Sequence, residues 1–414
     1  MFVSPDRIAL TALAQREARH VAATIVPCVV LAAMASSMAF PILPVQASRL
    51  GMALPLIGVM LAANRVGRIA ATPAVGAWVD RTSPRRVLCA GMVLQAVALG
   101  LFILGLDKVS PGLLLIAGRL LQGVASAGIF VAAQVLALRA GTAAQSGRVG
   151  GLVRAAMAAG VPLGLAAGGL LSERYGATQV FEGAMLATLA GCAIARALLD
   201  DERIPARAGA SFAQMLRQLA DLRLAALGAV SFAGSFAAHG VVMTTLPLLV
   251  QARGISVGGL GVEGTSGVLM GAMVILIALG SPLAGALGDK RQWHSGVAAA
   301  GLVGCVPALL ATGLATGFAG LGLGIVLIGV SAAALGPSLL ALVSQATPAA
   351  SRGGAVSLVQ LLGDLGGLLG PIVCTLVVTR NPGTPYLVSA ALLLLAFPAL
   401  RVLARWNLPE RLTP

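Results

Sequence analysis

Apolar runs of about 20 residues or more recur along this chain roughly every 34 residues, and that spacing dictates its fold. A helix needs about 20 apolar residues to cross the hydrocarbon core of a bilayer. Runs of that kind lie at 21 to 46, 54 to 78, 87 to 106, 111 to 138, 149 to 171, 177 to 199, 223 to 250, 260 to 287, 295 to 315, 318 to 344, 354 to 378 and 384 to 404. Little of the 414-residue chain remains for a soluble domain. With 58% hydrophobic and 10% charged residues, and a mean hydropathy of +0.95, a water-soluble globule is excluded. The 53 glycines have no strict period, which excludes a collagen-like chain. The expected fold is an all-α polytopic membrane protein with twelve transmembrane helices.

The net charge of +14 does not mark a nucleic-acid binder, because the basic residues are scattered between apolar runs and aromatics make up only 4%. Counted by alternate loops, one set holds the N-terminal tail, Arg81, Arg85, Arg86, Arg139, Arg148, Arg196, Arg203, Arg207, Arg217, Arg223, Lys290, Arg291, Arg352, Arg401, Arg405 and Arg411. The other holds Arg49, Lys108, Arg174, Arg253 and Arg380. The positive-inside rule places the first set, and both termini, in the cytoplasm. The tail at 1–20 carries Arg7, Arg16, Glu17 and Arg19 and leads into a run too long for a signal-peptide core, so it is expected to be retained. The Arg excess and the Ala and Gly richness suggest a bacterial inner membrane. Cys28, Cys89, Cys192, Cys305 and Cys374 are isolated within apolar runs, so neither a disulfide framework nor a metal cluster is indicated.

The longest loop, 200–222, opens with Asp200, Asp201, Glu202 and Arg203. It continues with Phe212, Met215, Leu216 and Leu219 at the spacing of an amphipathic helix lying on the membrane surface. It separates a bundle at 21–199 from one at 223–404, with a tail at 405–414. The halves repeat each other: Gly76-Ala-Trp-Val-Asp80-Arg81 stands before the third run and Gly285-Ala-Leu-Gly-Asp289-Lys290 before the ninth. Gly151, Gly160 and Gly164 recur with the same spacing as Gly354, Gly363 and Gly367, and Val-Gln-Ala occurs at Val45 and again at Val250. Six runs per repeat make the repeats parallel, giving two pseudo-symmetric six-helix bundles.

These residues carry a family resemblance. Gly76 to Arg81 with Arg85 and Arg86 is similar to the cytoplasmic loop signature of the major facilitator superfamily, with Ser83 and Pro84 replacing its usual Gly-Arg. Arg119-Leu-Leu-Gln-Gly123 matches that family's Arg-x-x-x-Gly motif. The Gly-rich fifth run resembles the motif of its proton-coupled drug antiporters, although Leu165 stands where a Pro would and Pro162 lies just before. The resemblance covers nearly the whole chain and implies two six-helix bundles, a central cavity and alternating access.

Several positions follow as candidates. Gly76, Asp80, Arg81, Arg85 and Arg86, with Asp289 and Lys290 in the second copy, read as a gating latch or as charges that only fix orientation. Arg119 reads as a counter-charge in proton coupling or as a structural strut. Arg65, Arg68 and Asp364 sit at mid-span, where an ion pair between Arg68 and Asp364, or a proton on Asp364, fits the cost of burying charge. His239 reads as a proton site or a packing residue. Asn64, Gln122, Ser36, Gln134 and Met38 are candidates for lining a substrate cavity. Gly123, Gly160, Gly164, Gly168, Gly370 and Pro371 are helix-packing positions. Glu182 and Glu263 are expected at the interface.

No nucleophile motif, metal spacing or phosphate loop is present, so an enzyme is not expected, nor any cofactor. The functional expectation is proton-coupled export of a small amphiphilic molecule by a monomer in the lipid bilayer. Uptake of a metabolite by proton symport is the alternative, and a non-transporting scaffold a distant third.

Overall fold

A computed structural model describes residues 5–107, 111–139, 143–201, 218–291, 293–348, 351–378 and 381–399. The described residues are almost wholly helical. Among the described residues eleven helices are long and apolar enough to cross a membrane, and a shorter apolar helix, Thr384–Ala399, stands in the twelfth position. The remainder of the expected twelfth run and the amphipathic stripe at 212–219 lie largely or wholly outside the described residues.

Turn chemistry explains where several spans begin and end. Ser83 caps span 3 (Pro84–Leu106): its hydroxyl accepts the Arg86 amide, and Pro84 occupies the first helical position, where no amide is needed. Span 5 (Ala143–Tyr175) turns into span 6 (Ala177–Leu198) through one residue, Gly176, at φ 93°, a conformation that favours glycine. Span 7 ends at Arg253, whose side chain donates to the carbonyls of Gly313 (2.6 Å) and Ala315 and so satisfies the end of span 9 (His294–Leu314).

Two first-in-repeat helices are irregular at corresponding places. Span 1 comprises Pro5–Ser37 and Ala39–Arg49, interrupted at Met38. Pro41 has no amide to give the Ser37 carbonyl, and Pro44 none for Phe40. Span 7 comprises Leu222–Ser235, a π-helical turn Phe236–Val242, and Met243–Arg253, with Pro247 unable to bond the Met243 carbonyl. The Val-Gln-Ala triplets at 45 and 250 set a displacement that carries Met38 onto Met243, the residue at which the π turn ends.

The chain forms two compact units, Met1–Ala39 with Val66–Arg207, and Phe40–Arg65 with Ala208–Pro414. The hairpin made by the second part of span 1 and the first part of span 2 (Leu54–Arg81) therefore belongs with the C-terminal helices, whereas the linker alone marks the division in the sequence. In the first unit a core of Val29, Leu88, Met92, Ala133 and Ala195 joins spans 1, 3, 4 and 6. Span 5 lies close against span 1: a Cβ on Gly160 would sit 2.8 Å from the Val30 carbonyl oxygen, on Gly164 2.3 Å from that of Met34, and on Gly168 2.8 Å from the Met38 Cα. In the second unit Gly370 of span 11 (Arg352–Val377) meets Gly240 of span 7 in the same manner, with Pro371 buried beside it.

Candidate functional site

The second unit holds a half-buried ion pair. Asp364 lies twelve residues into span 11, at about 18 Å along a helix of 1.5 Å rise. Its Oδ1 accepts from Arg65 Nη1 at 2.5 Å, and 17% of each side chain is exposed. Gly367, one turn beyond Asp364, makes room for the guanidinium: a Cβ there would stand 3.0 Å from Arg65 Cζ. Gly363 similarly leaves space for the hydroxyls of Ser231 and Ser235 on span 7. Asp364, expected to pair with Arg68, thus has Arg65 as a partner. The two arginines are about one helical turn apart, closer than a depth count along the helix resolves. A carboxylate and a guanidinium that are largely withdrawn from solvent stabilise each other, because each offsets the other's burial cost.

The first unit buries a second cation. Arg119 of span 4 (Pro111–Arg139) is 1% exposed, and its Nη1 donates to Gln122 Oε1 at 2.7 Å. Gln122 Nε2 donates in turn to the Ser36 carbonyl at 3.4 Å, tying span 4 to span 1. Ser36 therefore joins this network through its backbone. Gly123 is buried one residue on, and its carbonyl accepts the Ser126 hydroxyl at 2.8 Å. Span 2 packs closely here, since a Cβ on Gly67 would stand 2.1 Å from the Leu120 carbonyl oxygen.

At the basic-loop end of the first unit the charges converge on Asp201. Its carboxylate accepts from Arg86 Nε (2.9 Å) and Nη2 (2.6 Å) and from the Ser83 hydroxyl, and Arg85 Nη2 lies 3.2 Å away. Arg85 also donates to the Leu199 carbonyl at 2.8 Å, closing the end of span 6. The hydrogen bonds from Arg86 and Ser83 hold the Asp201 carboxyl down at about 2. A carboxyl depressed in the folded state contributes stability above its ordinary value and loses it on acidification. The thermal midpoint of the purified protein should therefore fall from pH 4 toward pH 2 more steeply in the wild type than in Asp201→Asn.

Asp80 and Gly76 end span 2 beside this cluster in sequence; Asp80 and Arg81 are exposed and Gly76 is half-buried. In the second repeat Asp289 Oδ1 accepts from His294 Nε2 at 3.1 Å, with the histidine side chain buried and the carboxylate exposed, and Lys290 is exposed. His239 lies on the π turn of span 7 and is exposed along the helix surface, while Asn64 and Gln134 are half-buried. Met38 lines an apolar groove in the first unit.

Sequence reasoning missed three residues. Glu263, expected at the interface, is 2% exposed; its Oε1 accepts from Gln46 Nε2 at 2.8 Å and Arg49 Nη1 at 3.1 Å. The signal was an acid inside the run at 260–287. Asp201 was hidden in the charged start of the linker, and His294 by its distance from other histidines. Among the described residues no group of three His, Cys, Asp or Glu is arranged to hold a metal ion.

The sequence profile of the Major Facilitator Superfamily matches residues 25–371, and again 229–412. A search of curated protein sequences finds no match. Among solved structures, the chain is similar to a bacterial homologue of the human lysosomal transporter Spinster, in an inward-facing and unoccupied conformation, with TM-score 0.78 and 14% identity over 96% of this chain and 99% of that one. It is also similar to the nucleoside transporter NupG, with TM-score 0.75 and 16% identity over 92% and 98% of the two chains. For the human organic anion transporter MFSD10 the values are 0.62 and 19%, over 92% and 99%. At these identities the likeness is one of fold.

Proposed function

The chain belongs to the major facilitator superfamily, a family of secondary transporters for small molecules, and from that premise we propose proton-coupled export of a small amphiphilic molecule by alternating access. The observation that carries the reading is the Arg65–Asp364 pair. A carboxylate at mid-span held by a guanidinium is a two-position device: protonation of Asp364 frees Arg65, and loss of the proton restores the pair. Arg119, bonded through Gln122 to span 1, is a fixed positive charge inside the first unit. The Gly-rich face of span 5 against span 1 supports exchange, because closely packed small residues let one helix slide on another.

In this reading the loops at Gly76–Arg86 and Asp289–Lys290 are latches on the cytoplasmic side of a bacterial inner membrane. Asn64 and Gln134 line the substrate path, and the working unit is a monomer. Reconstitution into vesicles with an imposed pH gradient tests the proposal. A panel of amphiphiles should move against the proton flux, with the rate collapsing when the gradient is dissipated. Movement with the protons would establish uptake instead, and transport indifferent to pH would refute proton coupling.

A further inference from the structure

Span 1, the end of span 5 and the start of span 6 leave a groove of about 390 Å³ in the first unit. Met34 and Met38 of span 1, Leu171 of span 5, and Val180 and Ala184 of span 6 form its apolar walls. The span 6 side runs from Gln179 to Ala187, about 12 Å of helix, close to the ~15 Å half-thickness of a bilayer's hydrocarbon core. One end is polar. Tyr175 and Gln179 line it at the Gly176 turn, and the Arg174 guanidinium lies 5.7 Å from the Tyr175 ring centroid. Glu173, which is exposed, precedes Arg174 in sequence.

We propose that this groove holds one acyl chain of a zwitterionic glycerophospholipid, with the lipid phosphate on Arg174. Three features support that occupant. The groove is close to the depth of one leaflet's chains. Its methionine-lined wall adapts to a flexible chain. Its mouth offers one guanidinium for a phosphate with the exposed Glu173 beside it in sequence, which suits a headgroup of both signs better than a net anionic one. A groove of about 410 Å³ in the second unit, lined by Gly228, Phe232, Leu362 and Leu392, has no charged or hydrogen-bonding side chain and provides the contrast.

The test uses the full-length protein in phosphatidylcholine vesicles carrying a photoactivatable phosphatidylcholine with a diazirine on one chain. Labelled residues are located by mass spectrometry. Labelling at residues 31–38 and 171–187 should exceed that on the exposed face of span 3 by about fivefold or more. It should fall to the span 3 level in Gly183→Leu, which fills the groove; a Cβ at Gly183 meets nothing within 4 Å, so the variant should fold. Ala187→Leu, at the groove's deep end, provides an independent block, and thermal melting reports the integrity of both. Arg174→Gln should lessen labelling of the first groove while leaving the second unchanged. Uniform labelling of all exposed helices, or labelling unaffected by both blocking variants, would overturn the proposal. So would stronger labelling by the matching phosphatidylglycerol probe.

Discussion

Asp364→Ala should destabilise the protein by about 3 to 5 kcal/mol, since it leaves the Arg65 guanidinium in a largely buried site without its carboxylate. Arg65→Ala should cost a comparable amount. The double variant should cost much less than the sum, because removing both charges removes the burial penalty along with the attraction. Denaturant titration of the purified variants measures the coupling, and additive losses would count against the pair. Transport supplies the second readout. With the carboxylate gone, the double variant should carry substrate down its own gradient and ignore an imposed pH gradient. Asp364→Asn, which keeps the volume but cannot ionise, should share that uncoupling.

Arg119→Ala should abolish gradient-driven transport and cost about 1.5 to 3 kcal/mol, the range for a hydrogen bond to a charged group, because the Gln122 carboxamide loses its donor inside the first unit. Arg119→Lys should restore part of the stability and less of the transport. An ammonium keeps the charge but lacks the planar fork through which Arg119 meets Gln122. Full transport in Arg119→Ala would make the residue a strut between spans 4 and 1. Transport by Gln122→Ala distinguishes the two roles further: a strut fails with either partner, whereas a fixed charge survives the loss of Gln122.

The spans were legible because a bilayer demands long apolar runs, and residues 54–81, 84–106 and 111–137 answer that demand almost where the runs were expected. Arg119 and Asp364 were legible for the converse reason, since a charge inside such a run is costly enough to require a purpose. That Arg65 meets Asp364 was not, because it lies one helical turn from Arg68 and a depth count along the helix does not separate the two. Asp201 and Glu263 escaped notice because charges at the ends of runs normally meet water. Only the three-dimensional arrangement brings Arg86 to one and Gln46 to the other. The break in span 1 was not legible either: Pro41 and Pro44 lie within the run, but the interruption at Met38 followed from the fold.

That break has a mechanical consequence. An intact transmembrane helix resists bending because each kink must sever backbone hydrogen bonds in a medium that offers no replacement. Span 1 has already given up those bonds at Pro41 and Pro44, and span 7 has loosened its own into a wider turn ahead of Pro247. Both are therefore compliant at matching positions and stiff on either side, so strain applied to their ends collects at Met38 and at the Phe236–Val242 turn. In span 1 the compliant stretch coincides with the place where the chain passes from one compact unit to the other.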